Sequence, residues 1–203
     1  MRKYMAFVLL GILTVAGVGF AALGVVQSKS ATDLGQAVSN TLKAPNYSEY
    51  LVQKTTQGNQ TANLVFQAPD RLSATLLASG HKTYLFIIGT TEYIAVTTKA
   101  SAPMPTKFYT QKTTGAVSVD PAQQYLHFYK EGPSTRNGSV TTVTLTQGGQ
   151  KETLTYTVSG NYVSNFHAAT PDGTINLAIS EVGTSPPVAL PKGYTITTTV
   201  PQA

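Results

Sequence analysis

From Ser48 onward most of the chain alternates apolar and polar residues, the period of strands with one face on a core and the other in water. Ala62, Leu64 and Phe66 oppose Asn63 and Gln67, and Leu72, Ala74 and Leu76 oppose Ser73 and Thr75. Leu154, Tyr156 and Val158 oppose a ladder of Thr153, Thr155 and Thr157, and Ile175, Leu177 and Ile179 oppose Asn176 and Ser180. Turn chemistry separates these runs at intervals of about ten residues. The turns are Gln57-Gly58-Asn59, Ser79-Gly80-His81, Gly89-Thr90, Gly148-Gly149, Gly160-Asn161 and Pro171-Asp172-Gly173. Such spacing predicts an antiparallel meander.

One hairpin departs from the pattern. Tyr84 to Val96 reads YLFIIGTTEYIAV and barely alternates. With Gly89-Thr90 as a two-residue loop, Tyr84, Phe86, Ile88, Tyr93 and Ala95 share one face, and Leu85, Ile87, Ile94 and Val96 share the other. Both faces are apolar, so both must be covered. A strongly curved sheet that wraps this hairpin around helices would cover one. The loop after it and the leader-proximal segment are expected to shield the other.

Two stretches change period. Ser30 to Asp33 has the form of a capping box, and Leu34, Ala37, Val38 and Leu42 recur at helical spacing until Pro45. Asp120 to Tyr129 begins with an N-cap Asp and Pro121 at the first helical position, and Gly132-Pro133 lie beyond its end. Its apolar side, Tyr125, Leu126, Phe128 and Tyr129, is wide and aromatic. Between hairpin and helix, Ser101 to Gly115 contains Pro103 and Pro105 and little periodicity, and reads as a long loop.

With 203 residues the chain holds one well-buried core. Charged residues are 11% of it, less than half of the roughly 25% usual for soluble domains. The net charge of +5 includes Arg2 and Lys3 and shows no basic run, which gives nucleic-acid binding no support. Cysteine is absent, which excludes disulfides, thiolate metal sites and a cysteine nucleophile. Met5 to Val26 is apolar and uncharged, long enough to cross a hydrocarbon core of about 30 Å. Two outcomes stay open for residues 1–29: a retained anchor in the plasma membrane, or a signal segment cleaved near Ser28 to Ser30. In either case Arg2 and Lys3 hold the N-terminus in the cytoplasm, and residues 30–203 form an extracytoplasmic domain.

Catalytic chemistry finds little footing. His81, His127 and His167 have no paired ligand spacing, so no metal or cofactor site is expected. Ser79-Gly-His-Lys82 has an SxxK spacing, but on a glycine-containing turn rather than one helical turn. Nucleophile elbow, zincin and phosphate-loop motifs are missing, and the acidic residues stand singly. A non-enzymatic protein is expected, with an enzyme using a surface serine as the weaker rival.

Several stretches in this order resemble the LolA-like cell-envelope proteins, in particular the LppX and LprG type of lipoproteins. They are the first helix running into Tyr47-Ser-Glu-Tyr-Leu-Val-Gln-Lys-Thr-Thr-Gln-Gly58, then Val65-Phe-Gln-Ala-Pro-Asp-Arg71, then Ile88-Gly-Thr-Thr-Glu-Tyr93. Val119-Asp-Pro121 opens the second helix, and Asn176-Leu-Ala-Ile-Ser-Glu-Val-Gly183 precedes Pro186-Pro187 and Leu190-Pro191. The resemblance implies an α+β fold: a strongly curved antiparallel half-barrel packed on two short helices, here preceded by an N-terminal membrane helix. It also implies a cavity for acyl chains and carriage of lipids or lipoproteins without catalysis. The lipidated cysteine of that family is missing, since Ala21-Ala-Leu-Gly24 is followed by Val25. A tethered binder therefore replaces a free shuttle.

On this reading Leu64, Phe66, Leu76, Phe86, Tyr93, Tyr125, Phe128, Leu154 and Tyr156 line a concave face that takes a lipid or acyl chain. The same residues suit a solid core, in which case the chain is a structural or interaction domain. The expected partners are an acyl-chain ligand and the plasma membrane through residues 5–26, with another envelope protein as a further candidate.

Overall fold

The computed structural model describes residues 29–197 other than 57, 114, 117–118 and 148–149. Met5 to Val26, and with it the expected membrane helix and the boundary at residue 29, lies outside them. Among the described residues no helix is long and apolar enough to cross a membrane.

Helix α1 (Lys29–Leu42) leads into six strands: β1 (Asn46–Thr55), β2 (Gly58–Gln67), β3 (Arg71–Ala78), β4 (His81–Ile88), β5 (Thr91–Thr97) and β6 (Lys107–Lys112). A short helix α2 (Pro121–Tyr125) continues as a 3-10 turn over Leu126–Lys130. Five more strands follow: β7 (Ser134–Asn137), β8 (Val140–Gln147), β9 (Gln150–Ser159), β10 (Tyr162–Thr170) and β11 (Gly173–Ser180), and a last strand, β12 (Thr195–Thr197), ends the described chain. Together they form a single sheet in the order β12-β6-β5-β4-β3-β2-β1-β11-β10-β9-β8-β7. Two meanders thus run outward from a seam at β1 and β11, antiparallel from Ser48↔Ser180 to Thr55↔Gly173. The sheet does not close, since β7 and β12 remain its two edges.

Alternation places one face of nearly every strand inward. Tyr47, Glu49, Leu51 and Gln53 of β1, Leu64 and Phe66 of β2, Leu72 and Leu76 of β3, and Leu85 and Ile87 of β4 are buried with Leu154, Tyr156, Phe166 and Leu177 from the other meander. Leu34, Ala37 and Val38 of α1 join this cluster, as do Ala122 and Leu126 of the second helical piece. Thr41 fastens α1: its hydroxyl donates to the Ala37 carbonyl at 2.9 Å and accepts from the Val163 amide at 2.9 Å. The helix is already running at Ser30, so residues 30–33 are part of it and not its cap.

The hairpin of β4 and β5 turns at Gly89 (φ +61) and Thr90, with Ile88 opposite Thr91. Leu85, Ile87, Ile94 and Val96 face the main core, whereas Tyr84, Phe86, Tyr93 and Ala95 form a second cluster on the outer side. The loop after the hairpin covers part of that side, as expected: its Phe108 packs into this cluster and its Ala102 carbonyl accepts from the Tyr84 hydroxyl at 3.4 Å. A second cover, which the sequence did not single out, is the segment after β11, which crosses the outer face as a strap. Its Gly183 amide donates to the Asn46 carbonyl at 2.8 Å, its Val188 amide to Gln67 at 3.0 Å, and its Val188 carbonyl accepts from Arg71 at 3.2 Å. Tyr194 then packs edge-on against Tyr93 at 6.0 Å and Phe108 at 6.5 Å. Pro186, Pro187 and Pro191 lack the N–H that a ladder needs, so this segment crosses the strands instead of joining them. The stretch read as one long loop also contains β6, whose Phe108 is fully buried on the outer side.

Candidate functional site

Five of the nine residues assigned to the concave face from the sequence lie on it together: Leu64, Phe66, Leu76, Leu154 and Tyr156. Tyr125 and Phe128 meet them from the helical cover, with Tyr125 stacked on Phe166 at 5.8 Å and 4°. Phe86 and Tyr93 do not belong. They sit on the outer face, Phe86 against Phe108 at 5.7 Å. Phe166 is a wall residue that alternation did not single out. A bulge between Val163 and Asn165 shifts the register of β10, so Val163 and Phe166, three apart, both point inward.

Beneath the cover lies a carboxyl pair, although the acidic residues stand singly in the sequence. Asp120 caps α2 and is fully buried; Glu49 comes from the middle of β1. The Ala122 amide donates to Glu49 Oε1 at 2.9 Å and to Asp120 Oδ1 at 3.3 Å. Tyr47 donates its hydroxyl to Asp120, and Gln123 Nε2 bridges the Tyr47 oxygen at 3.3 Å to the Leu42 carbonyl at 3.2 Å. Strand β1, the end of α1 and the start of α2 are thereby clamped together. Burial, then the neighbouring Asp120, holds the Glu49 carboxyl well above the usual range. Burial also pushes Asp120 up to about 6, against the hydrogen bonds it accepts. Neither carboxyl has a salt bridge among the described residues.

The clamp has a pH signature. Both carboxyls bind protons more tightly in the fold than in the unfolded chain, whose carboxyls titrate near about 4. Their contribution to stability is complete below that value and is lost as pH rises through about 6 for Asp120 and through the raised range of Glu49. Thermal midpoints measured from pH 4 to pH 8 are expected to decline in the native chain. They should decline less in Glu49→Gln, which keeps the Oε1 acceptor but not the proton; parallel slopes would show that Glu49 does not titrate in this window.

The histidines are separate. His167 Nδ1 lies 2.8 Å from Asn176 Oδ1, His127 packs on Phe128 at 4.5 Å, and His81 opens β4. Ser79 (φ +51) and Gly80 (φ +80) form a tight turn, and Lys82 points to the face opposite His81, so the SxxK spacing is not that of a helical pair. Among the described residues no group of three His, Asp or Glu could hold a metal ion. Some buried polar atoms lack any hydrogen-bond partner: Glu49 Oε2, Gln53 Oε1, Gln60 Oε1, His81 Nδ1 and the Tyr156 hydroxyl. All five belong to inward-facing positions of the sheet.

No family model matches the sequence, and no curated protein matches it significantly. Among solved structures the chain is similar to the lipoprotein LppX of Mycobacterium tuberculosis, with a TM-score of 0.50 over 80% of this chain and 100% of that one, at 11% identity. LprF of Mycobacterium bovis aligns over 85% of this chain and 100% of its own, with a TM-score of 0.49 and 11% identity. The likeness to LppX establishes the LolA-like fold, a large unclosed antiparallel sheet on two short helices.

Proposed function

We propose that this chain is an extracytoplasmic binding protein for an amphiphile, taking acyl chains between the concave wall of the sheet and its helical cover, with no catalysis. The observation that carries this reading is the wall itself. Both meanders contribute apolar side chains to one inward face of an unclosed sheet, and among the described residues two helical pieces lie over it. The cover meets the wall through the Tyr125 ring stacked on Phe166 and through Leu34, Ala37, Val38, Ala122 and Leu126, while Phe128 lies beside Tyr125 at 6.5 Å within the cover. An acyl chain enters as the cover lifts from the wall. Each methylene withdrawn from water contributes about 0.8 kcal/mol. Relative to a bilayer the gain is near zero, so loading and release stay balanced. Residues 5–26 would tether the domain to the plasma membrane, or free it if the leader is cleaved. The fold shared with a lipoprotein of Mycobacterium tuberculosis supports the compartment.

Native mass spectrometry of residues 30–203 tests this directly. A binder carries co-purifying lipid of discrete mass; a domain with a solid core, whose role is contact with another envelope protein, runs at its bare mass. Phe128→Glu, at the half-buried margin of the cover, is expected to remove most of that lipid with little loss of stability. Phe86→Ser, on the outer face, should leave it in place. Lipid retained in a folded Phe128→Glu variant removes the cover from the site.

A further inference from the structure

Unpartnered polar atoms are not scattered evenly over the concave face. Gln53 pairs with Gln60, Gln60 with Ala78, and Ala78 with His81, so four adjacent strands place these residues in one inward row. Gln53 is 3% exposed, and Gln53 Oε1, Gln60 Oε1 and His81 Nδ1 have no hydrogen-bond partner. A buried acceptor left without a donor is costly, and native proteins rarely leave several together. The small Ala78 stands between Gln60 and His81, which lie two strand spacings, about 10 Å, apart.

Resting on the reading above, we propose that Gln53, Gln60 and His81 form a hydrogen-bonding subsite for the uncharged, hydroxyl-bearing end of the bound amphiphile. The atoms on offer are mainly acceptors, and hydroxyl groups supply donors to meet them. A phosphate would bring only further acceptors. It would also need cations, and Lys54 and Lys82, the lysines next to Gln53 and His81, alternate to the opposite face. In the neighbouring inward row Leu51, Ala62 and Leu76 are apolar and Thr83 on β4 is polar, so acyl carbon adjoins the polar row directly along β1 to β3.

The test uses the full chain in phosphatidylcholine nanodiscs, with empty discs as baseline, and three probes of equal chain length: monolauroylglycerol, methyl laurate and monolauryl phosphate. Monolauroylglycerol is expected to bind about tenfold more tightly than methyl laurate, the worth of one to two net hydrogen bonds. In Gln53→Leu/Gln60→Leu the preference falls to near unity while methyl laurate still binds, and in Ala78→Leu, which puts a larger side chain between Gln60 and His81, it falls likewise. Equal affinity of the native chain for the first two probes would overturn the subsite and leave acyl binding standing. So would a preference that survives the double substitution, or tighter binding of the phosphate. If no probe binds the native chain, the acyl-binding reading falls and the subsite with it.

Discussion

Gly173→Ala is expected to lower folding stability by about 3 kcal/mol or more, an effect at the upper end for a single methyl group. Gly173 begins β11 with φ +150, a conformation that L side chains rarely adopt, and a Cβ there would stand 2.0 Å from the Lys54 carbonyl oxygen and 3.0 Å from its carbon. Those atoms are backbone of β1 and cannot swing aside. Thr55 pairs with Gly173 at the last rung of the seam that joins the two meanders, so strain at this point splits the sheet along its middle. Gly138 provides the control. Its φ of +60 is also left-handed, but a Cβ there meets nothing within 4 Å. Gly138→Ala is expected to cost only the backbone term of about 1 kcal/mol. Urea denaturation of the two variants separates clash from conformational preference, and equal losses would show that β1 yields at the seam.

Phe166→Ala is expected to cost about 3–5 kcal/mol, and to lower the thermal midpoint by about 10 °C. Phe166 is fully buried, with Tyr156 at 5.1 Å on the wall and Tyr125 stacked at 5.8 Å from the cover. Its removal takes away hydrophobic transfer and also two ring contacts worth about 0.5–1.5 kcal/mol each. Because Tyr125 loses its partner, hydrogen exchange should quicken first over 121–130. A loss below about 1 kcal/mol would show that the cover refills the space and is not fixed by this ring.

Much of this architecture was legible as pattern. The two faces of the β4–β5 hairpin, the turn at Gly89-Thr90 and the Asp120-Pro121 helix start all follow from local chemistry. Alternation, however, says which residues share a face and not which face meets the helices. That is why Phe86 and Tyr93 were grouped with Leu64 and Tyr156 although the sheet stands between them. Phe166 was hidden by the bulge before it, since a shifted register destroys the period that reveals inward positions. Strand β6 was hidden for a related reason: Phe108 is covered on the outer face and Tyr109 on the inner, so Lys107–Lys112 carries no alternation at all. The Glu49–Asp120 pair was invisible for want of proximity, one acid lying in a strand and the other at a helix cap. No local signal marks a contact that only the completed fold creates.

The strap after β11 also bears on the order of assembly. Ribosomes deliver the chain N-terminus first, and early portions begin to organise while later ones are unmade. The hairpin of β4 and β5 emerges with two greasy sides, and Leu190 and Tyr194, which shelter the outward one, are made well after it. Until then Tyr84, Phe86 and Phe108 are naked, and a nascent polypeptide in that condition is a natural client for a chaperone.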